Sequence, residues 1–463
     1  VGDYNNDGNQ DLLFNGHFLY KNNGDSTLTQ IDANLKELNA HGGVWADFNR
    51  DGKLDLAAIT NAEDPGEQLM KNQGDDWFVG VNERAGDIAD RYPTEGVAWI
   101  DAKNDGYPDL YVANYEKWQV QSGFPDYYWE NEKGYFTDMS DSLGFRLPDY
   151  THDPGQAGRG VAPADFDNDG IQEIYVTNYR LNRNFCFKQA GKMWVDVAPL
   201  YAIQGKYKEG YYGHSIGADW GDYDNDGDLD LFVANLAHPR YINISDVSIL
   251  YRNDGLGSRV IDGETVYYWQ FTDVTKAAGI TFDELHSDPL WIDADNDGWL
   301  DLFITSVYEN DRSYLYKNKG DGTFKDITWL AGARVYNGWG TALADLNRDG
   351  KADLIVGSGN GARILLNETV TDNQALWLKP VWEKGKVTLL QDYSEHSKHP
   401  NSPAFGTRVR LRLQRPDGSQ YSLIRELSGG KGTSSQSAQE LPFGLGDAEV
   451  IEIQKVDYAQ PKN

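Results

Sequence analysis

Asp222 to Asp230 read D-Y-D-N-D-G-D-L-D, with carboxylates at positions 1, 3, 5 and 9 and Gly227 at position 6. That spacing suits a hard divalent cation, because Ca²⁺ takes roughly six to eight oxygen ligands. In a tight loop alternate side chains turn inward, and glycine takes the φ > 0 bend that other residues resist. Position 7 adds a backbone carbonyl. No helical pattern flanks the loop, and Leu229-Asp-Leu-Phe-Val233 reads as a strand. A single copy is explained equally by an Asx-rich turn, since Asp, Asn and Gly favour turns without any metal.

The pattern recurs along the chain. The other sets are Asp3, Asn5, Asp7 and Asp11; Asp47, Asn49, Asp51 and Asp55; Asp101, Lys103, Asp105 and Asp109; Asp165, Asp167, Asp169 and Glu173; Asp293, Asp295, Asp297 and Asp301; and Asp345, Asn347, Asp349 and Asp353. With Asp222, Asp224, Asp226 and Asp230 they make seven loops, whose first aspartates fall 44 to 71 residues apart. About six Ca²⁺ ions are expected. The third loop is the exception, because Lys103 puts an ammonium where a ligand oxygen belongs. It is expected to be empty, with the amine taking the cation's place against Asp101, Asp105 and Asp109. The alternative turns Lys103 to solvent and leaves a weak site. Glu173 is one methylene longer than Asp and still closes the fourth loop.

The segments around each loop repeat as well. Before it comes a glycine-led apolar stretch, as in Gly42-Gly-Val-Trp-Ala-Asp47 and Gly96-Val-Ala-Trp-Ile-Asp101. After it comes a second strand, such as Leu54-Asp-Leu-Ala-Ala-Ile59, then a third ending in a turn, such as Leu315-Tyr-Lys-Asn-Lys-Gly320. Phe324-Lys-Asp-Ile-Thr is a fourth. Four strands per unit and seven units predict an all-β, seven-bladed β-propeller over residues 1–373, with a linear solenoid as the competing arrangement. Blade seven shows no fourth strand and blade one no innermost strand. Residues upstream of Val1 are expected to supply both, and strands from residues 374–382 completing blade seven would contradict this.

The repeats resemble FG-GAP repeats, also called VCBS repeats, of integrin α-subunit propellers and bacterial surface proteins. The match is D-x-[DN]-x-D-G-x-x-[DE] between an apolar strand and a strand beginning with Leu or Ile, over about residues 1 to 369. The resemblance implies Ca²⁺ in the loop joining the first two strands of every blade, all on one face.

Residues 374–463 carry no such loops and read as a small all-β domain. Phe405-Gly-Thr-Arg-Val-Arg410, Gly429-Gly-Lys-Gly-Thr-Ser-Ser-Gln436 and Pro442-Phe-Gly-Leu-Gly446 resemble the ASPIC/UnbV domain. That family brings no agreed chemistry. The glycine run at 429–432 lacks phosphate-loop spacing and a following helix, and reads as a loop.

If the acidic loops share one face, the residues that begin the innermost strands emerge near the axis on the other. These are His41, Glu95, Arg159, His214, His286 with Asp288, and Asn337. A polar, mixed-charge set suits a bound partner; a wet channel mouth explains it equally, and a transition metal at the histidines is the remaining option. An insertion at Tyr115–Tyr150 offers Trp118 and Phe124 as an aromatic platform, unless the loop packs its own rings. A second insertion, Ala237–Tyr268, is expected to be a hairpin.

The net charge of −30 argues against nucleic acid as a partner and against a grip on anionic membranes. No apolar run is long enough to span a bilayer. The chain opens inside a motif, so a signal peptide upstream is expected to be cleaved or outside the sequence. With one cysteine, Cys186, no intrachain disulfide forms, and calcium is the expected staple. This fits an exported bacterial protein at the cell surface, outside the cell or in the periplasm. Cys186 is expected to be buried and inert. H-E-x-x-H does not occur, and His396-Ser-Lys-His399 reads as a solvated loop. The expected function is calcium-stabilised, non-catalytic binding or adhesion to a glycan or extracellular protein. The alternatives are a polysaccharide lyase or hydrolase, with Ca²⁺ at a uronate and Arg159 or a histidine as base, and a structural subunit docked through the tail.

Overall fold

The computed structural model describes residues 1–463 except 61–66, 87, 89–91, 118–121, 147–156, 238–245, 262, 282–284 and 457–463. The chain is all-β and propeller-like. Up to residue 365 it forms seven antiparallel sheets in chain order, beside one two-residue hairpin. Sheets two to six have four strands each, and the first and seventh have three. The innermost strands of sheets two to seven are Gly42–Ala46, Thr94–Ile100, Gly158–Ala164, Ser215–Gly221, His286–Ile292 and Gly338–Ala344.

Register places the acidic loops. Ala46 pairs with Asp55, Ile100 with Asp109, Ala164 with Glu173, Gly221 with Asp230, Ile292 with Asp301 and Ala344 with Asp353. Each loop's closing acid therefore faces the residue just before its first acid, so the loop is a short connector pinned at both ends. The second strands are buried on both sides, as in Asp55–Ile59 and Asp230–Asn235. That is why they read as continuous apolar runs rather than alternating ones.

Apolar clusters fill the space between successive sheets. Tyr4, Leu19, Trp45 and Leu56 join the first and second, and Ala98, Tyr111, Val161 and Phe187 join the third and fourth. Leu12 packs with Ala342, Ala344 and Ile355, which brings the seventh sheet against the first. The sheets thus form a ring rather than a linear solenoid. Burial of this apolar surface, at about 25 cal/mol per Å², is the main stabilising term.

In the first sheet only the Gly2–Asp11 bridge stands where the others carry an innermost strand. The seventh ends at Arg363–Leu365. Gln374–Glu383 does not complete it, and pairs instead with Lys386–Leu390 and Leu441–Gly446. A second small sheet joins Gln420–Glu426, Arg408–Gln414 and Glu449–Lys455. These tail strands lie over the acidic loops. Leu378, Phe405, Val409, Leu411 and Phe443 share one buried cluster with Phe48 and Trp99, so the tail and the ring have a common core.

From the tail, residues 428–439 enter the central channel. Gly429 bridges Trp99, Val161 N donates to Gly432 O at 3.0 Å, and Ala438 N donates to Leu343 O at 2.9 Å. The glycine run is a loop, as its sequence reads, but a loop on the axis. Ile249–Ile261 and Glu264–Asp273 form the long hairpin expected in the second insertion. Cys186 is buried within Phe185–Ala190.

Candidate metal loops and channel mouth

The loops share one construction. Position 4 has positive φ in all seven, from 51° at Asn104 to 61° at Asn168, and so does the glycine at position 6, from 79° at Gly106 to 99° at Gly227. Asparagine tolerates the left-handed region better than most residues, and glycine adopts it freely. In six loops the first aspartate accepts the amides of positions 5 and 6. Asp47 takes them at 2.9 and 2.8 Å, and Asp293 at 3.1 and 2.8 Å.

In six loops the closing acid accepts a backbone amide from an asparagine at or just past the third strand; the fourth has no asparagine there. Asn72 N reaches Asp55 at 2.8 Å, and Asn318 N reaches Asp301 at 2.7 Å. The same asparagine donates its side-chain amide to a carbonyl in the preceding sheet's loop: Asn72 to Tyr4, Asn131 to Phe48, Asn253 to Phe166, Asn318 to Tyr223, Asn367 to Ala294 and Asn22 to Leu346. These residues staple loop to loop, and Asn22 spans the junction of the last and first sheets. Sequence reading took them only as turn formers. Their recurrence just before the turn glycine was the available signal.

Three loops bring carboxylate oxygens within 4.8 Å of one another: Asp165, Asp167 and Glu173; Asp222, Asp224 and Asp230; and Asp293, Asp295 and Asp297. Burial pushes Asp11 up to about 8, Asp165, Asp222 and Asp293 to about 7, and Asp230, Asp301 and Glu173 well above the carboxylate range. Such burial disfavours the ionised form, and a cation among the oxygens would offset that cost. In the fifth loop both oxygens of Asp222 and one of Asp224 are buried without a hydrogen-bond partner. An all-oxygen donor set with unpaired inward lone pairs fits a hard cation.

Elsewhere a third-strand lysine approaches the same oxygens. Lys188 Nζ lies 2.5 Å from Asp167 and 3.0 Å from Glu173, and Lys317 Nζ lies 2.6 Å from Asp295 and 2.8 Å from Asp297. Lys71 sits 3.0 Å from Asp51, and Lys21 3.2 Å from Asp7. In the second loop Asn49 Nδ2 donates to Asp55 at 3.0 Å; turned over, that amide would present its oxygen.

The third loop differs from expectation in one respect. Lys103 Nζ pairs with Glu130 at 2.5 Å, not primarily with the loop's own acids. Glu130 stands at the strand position that holds lysine in four other sheets, so the two charges are exchanged. Asp109 is satisfied by Tyr128 Oη at 2.6 Å and Asn131 N at 2.6 Å. The double change Lys103→Asp, Glu130→Lys is therefore expected to add one calcium per chain, counted by titration calorimetry. An unchanged stoichiometry would mean that more than these two charges excludes the ion.

At the opposite face three of the mouth candidates meet. His41 Nε2 is 3.8 Å and Arg159 Nη1 3.5 Å from Glu95, one on either side of the carboxylate. Arg159 lies over Tyr115 at 4.8 Å and Tyr179 at 5.4 Å. Burial lowers the His41 pKa against the pull of Glu95, whereas for Arg159 burial is opposed by Glu95, Tyr115 and Tyr179 together, which raise it. The trio lines a cavity of about 800 Å³ with Phe18, Trp339, Ser434 and Ser435. One end of the cavity follows the strand edge at Leu12–Phe14.

The other candidates do not join them. His286 is buried, with Nδ1 2.9 Å from Ser248 Oγ. His214 is buried against Tyr179, and Asn337 accepts Tyr308 N at 3.1 Å. Asp288 is buried and accepts Thr341 N at 2.7 Å and Lys431 Nζ at 2.9 Å. Of these, Asp288 meets the axial segment, through Lys431. Phe124 stacks, with centroids 4.5 Å apart, on Tyr92 in the segment that leads into Thr94–Ile100, so its ring packs against its own sheet. Trp118 lies outside the described residues. His396 is not solvated; it is buried 3.1 Å from Glu440.

Comparison with known proteins agrees with this geometry. The FG-GAP-like repeat matches residues 3–58, 47–112, 101–176, 165–233 and 293–356, the FG-GAP repeat residues 337–378, and the ASPIC and UnbV domain residues 397–460. Cartilage acidic protein 1 of Xenopus tropicalis is 28% identical over 310 residues, which cover 52% of this chain and 45% of that protein. Integrin alpha-8 of Homo sapiens is 26% identical over 191 residues, covering 39% and 16%. The chain spans less than half the length of these relatives. Among solved structures, an Agrocybe aegerita lectin recognising non-reducing terminal N-acetylglucosamine covers 84% of this chain and 92% of its own at 17% identity and a TM-score of 0.42. Among the described residues no helix is long and apolar enough to cross a membrane. The chain belongs to the FG-GAP-like repeat family and carries an ASPIC and UnbV domain after its repeats.

Proposed function

We propose that this chain is a calcium-stabilised, non-catalytic extracellular binding module whose channel mouth recognises a glycan. The observation that carries the reading is the meeting of His41, Glu95 and Arg159, from three successive sheets, beside the part-exposed rings of Phe18 and Trp339. Aromatic faces stack on sugar C–H groups, while paired charges hydrogen-bond hydroxyls without leaving an uncompensated charge. The acidic loops support calcium in all but the third. The kinship with matrix and cell-surface proteins supports an extracellular place.

Glycan-array binding is expected to fall at least about tenfold in Arg159→Ala and Glu95→Gln, with the fold intact by circular dichroism. Binding that ignores both changes would remove the mouth as the site. The same trio favours one second reading, a polysaccharide lyase in which His41, held neutral by burial, takes the proton beside a uronate carboxylate. Unsaturated sugar products from the wild-type protein would select it.

A further inference from the structure

We infer that the mouth depends on the loop face: the tail clamps the first aspartates of the acidic loops and thereby holds the axial turn that floors the mouth, so that cation loss at the loops frees the turn. The last step, from a free turn to a lost ligand, rests on the function proposed above; the step from cation to turn does not.

The axial segment is a polar plug. Lys431 and Ser435 exchange both backbone hydrogen bonds, at 2.8 and 3.0 Å, around a turn in which Gly432 and Ser434 have positive φ. Ser434 Oγ donates to Glu95 O at 2.8 Å, directly behind the mouth carboxylate. Lys431 is buried, and its ammonium donates to Asp288 at 2.9 Å, Pro289 O at 2.7 Å and Thr341 Oγ1 at 2.7 Å. Little apolar surface is buried by residues 429–436, so the turn is held by directional polar contacts that are sensitive to small shifts of its ends. Both of its ends run into tail strands, Gln420–Glu426 and Leu441–Gly446. Its place is therefore set jointly by polar contacts to the ring, such as Lys431 to Asp288, and by the tail strands at its two ends.

The tail in turn rests on the loops. Ser402 Oγ donates to Asp47 Oδ2, and Tyr393 Oη donates to Asp345 Oδ2 at 2.8 Å. Arg408 donates to the backbone carbonyl of Asp165 and to Asn168 of the same loop. Asp47, Asp165 and Asp345 are first-position acids, whose oxygens are offered to the cation on one side and to the tail on the other. A bare loop crowds three or four carboxyl-type groups into nine residues, and their repulsion moves the anchor points that the tail was built to meet. Among the described residues only the second and seventh loops hold the tail through carboxylate oxygens accepting a hydroxyl, so these two contacts can be removed without touching any proposed cation ligand.

Hydrogen exchange resolved by mass spectrometry tests this in the full chain. With EGTA, amides of residues 429–438 are expected to exchange at least about tenfold faster than with calcium, under conditions where Asp230–Asn235 remains protected. The double change Ser402→Ala, Tyr393→Phe in saturating calcium is expected to give the same acceleration with the calcium stoichiometry unchanged. A turn as protected as the sheet strands in both arms would overturn the inference. Should chelation unfold the sheets as well, the variant in calcium decides alone. Glycan binding is measured separately: its absence in every sample would remove the function proposed for the mouth while leaving the exchange result standing.

Discussion

Chelation of calcium will lower the melting temperature by roughly 15 °C. Each loop loaded at about a hundred times its Kd contributes about 2.7 kcal/mol, so six independent loops contribute on the order of 15 kcal/mol. A chain of 463 residues has an unfolding entropy of about 1 kcal/mol/K, which converts that free energy into the shift. The structural cause is the burial of the acids. Asp11 is pushed up to about 8 and Asp222 to about 7 by desolvation, with neighbouring carboxylates adding to both. The sign with pH follows. Because these folded pKa values lie above the ordinary 3.8, the ion-free fold is favoured at low pH and loses that advantage as pH rises through about 7 to 8. The calcium-loaded fold has no such loss, since its carboxylates stay ionised against the cation. The calcium-dependent shift is thus expected to widen between about pH 5 and pH 8 in thermal scans. A melting temperature indifferent to chelator at both values would make the loops metal-free turns.

Glu440→Gln will destabilise the fold by about 3–5 kcal/mol, a fall of roughly 3–5 °C. Glu440 sits where the tail leaves the axis. It accepts Gln10 Nε2 at 2.8 Å and Arg348 Nη1 at 3.1 Å, and lies 3.1 Å from His396 Nδ1. Burial by itself would raise its pKa; Arg348 and His396, with Lys379 further off, outweigh that and draw it down to about 2. A folded value below the ordinary 4.5 means this stabilisation is present above that pH and lost only as pH falls through about 2. The amide cannot compensate the Arg348 guanidinium, and leaves its buried charge unpaired between the first loop, the seventh loop and the tail. The effect should therefore be constant from about pH 5 to pH 8. Glu452→Gln is the control, because its pair with Arg412 is half exposed on both sides; such pairs contribute about 0–1 kcal/mol. Equal effects from the two changes would mean that the Glu440 cluster carries no special share of the docking.

Much of this was legible in residue order because it is local. The acidic loops, their glycines and the apolar runs either side are set within nine to fifteen residues by backbone conformation and burial, so repetition exposes them. Asp222–Asp230 needs no distant partner to adopt its turn. The exchange of Lys103 with Glu130 was half visible: the lysine stood out in its loop, but its partner is 27 positions away on another strand. The mouth divided the same way. His41, Glu95 and Arg159 begin their strands and do meet. His286 and Asp288 do not join them, because their side chains take partners distant in the chain, Ser248 and Lys431, which strand order alone does not reveal.

The sequence by itself determined the repeat, the ligand chemistry of its loops and the all-β architecture, since each follows from short-range spacing. Only the tertiary structure decided what fills the ring. That residues 428–439 occupy the channel, that Lys431 meets Asp288 across 143 positions, and that Ser402 and Tyr393 reach Asp47 and Asp345 are consequences of closing a circle and then covering it. Such contacts join segments whose separation along the chain bears no relation to their distance in space, so no spacing rule could have announced them.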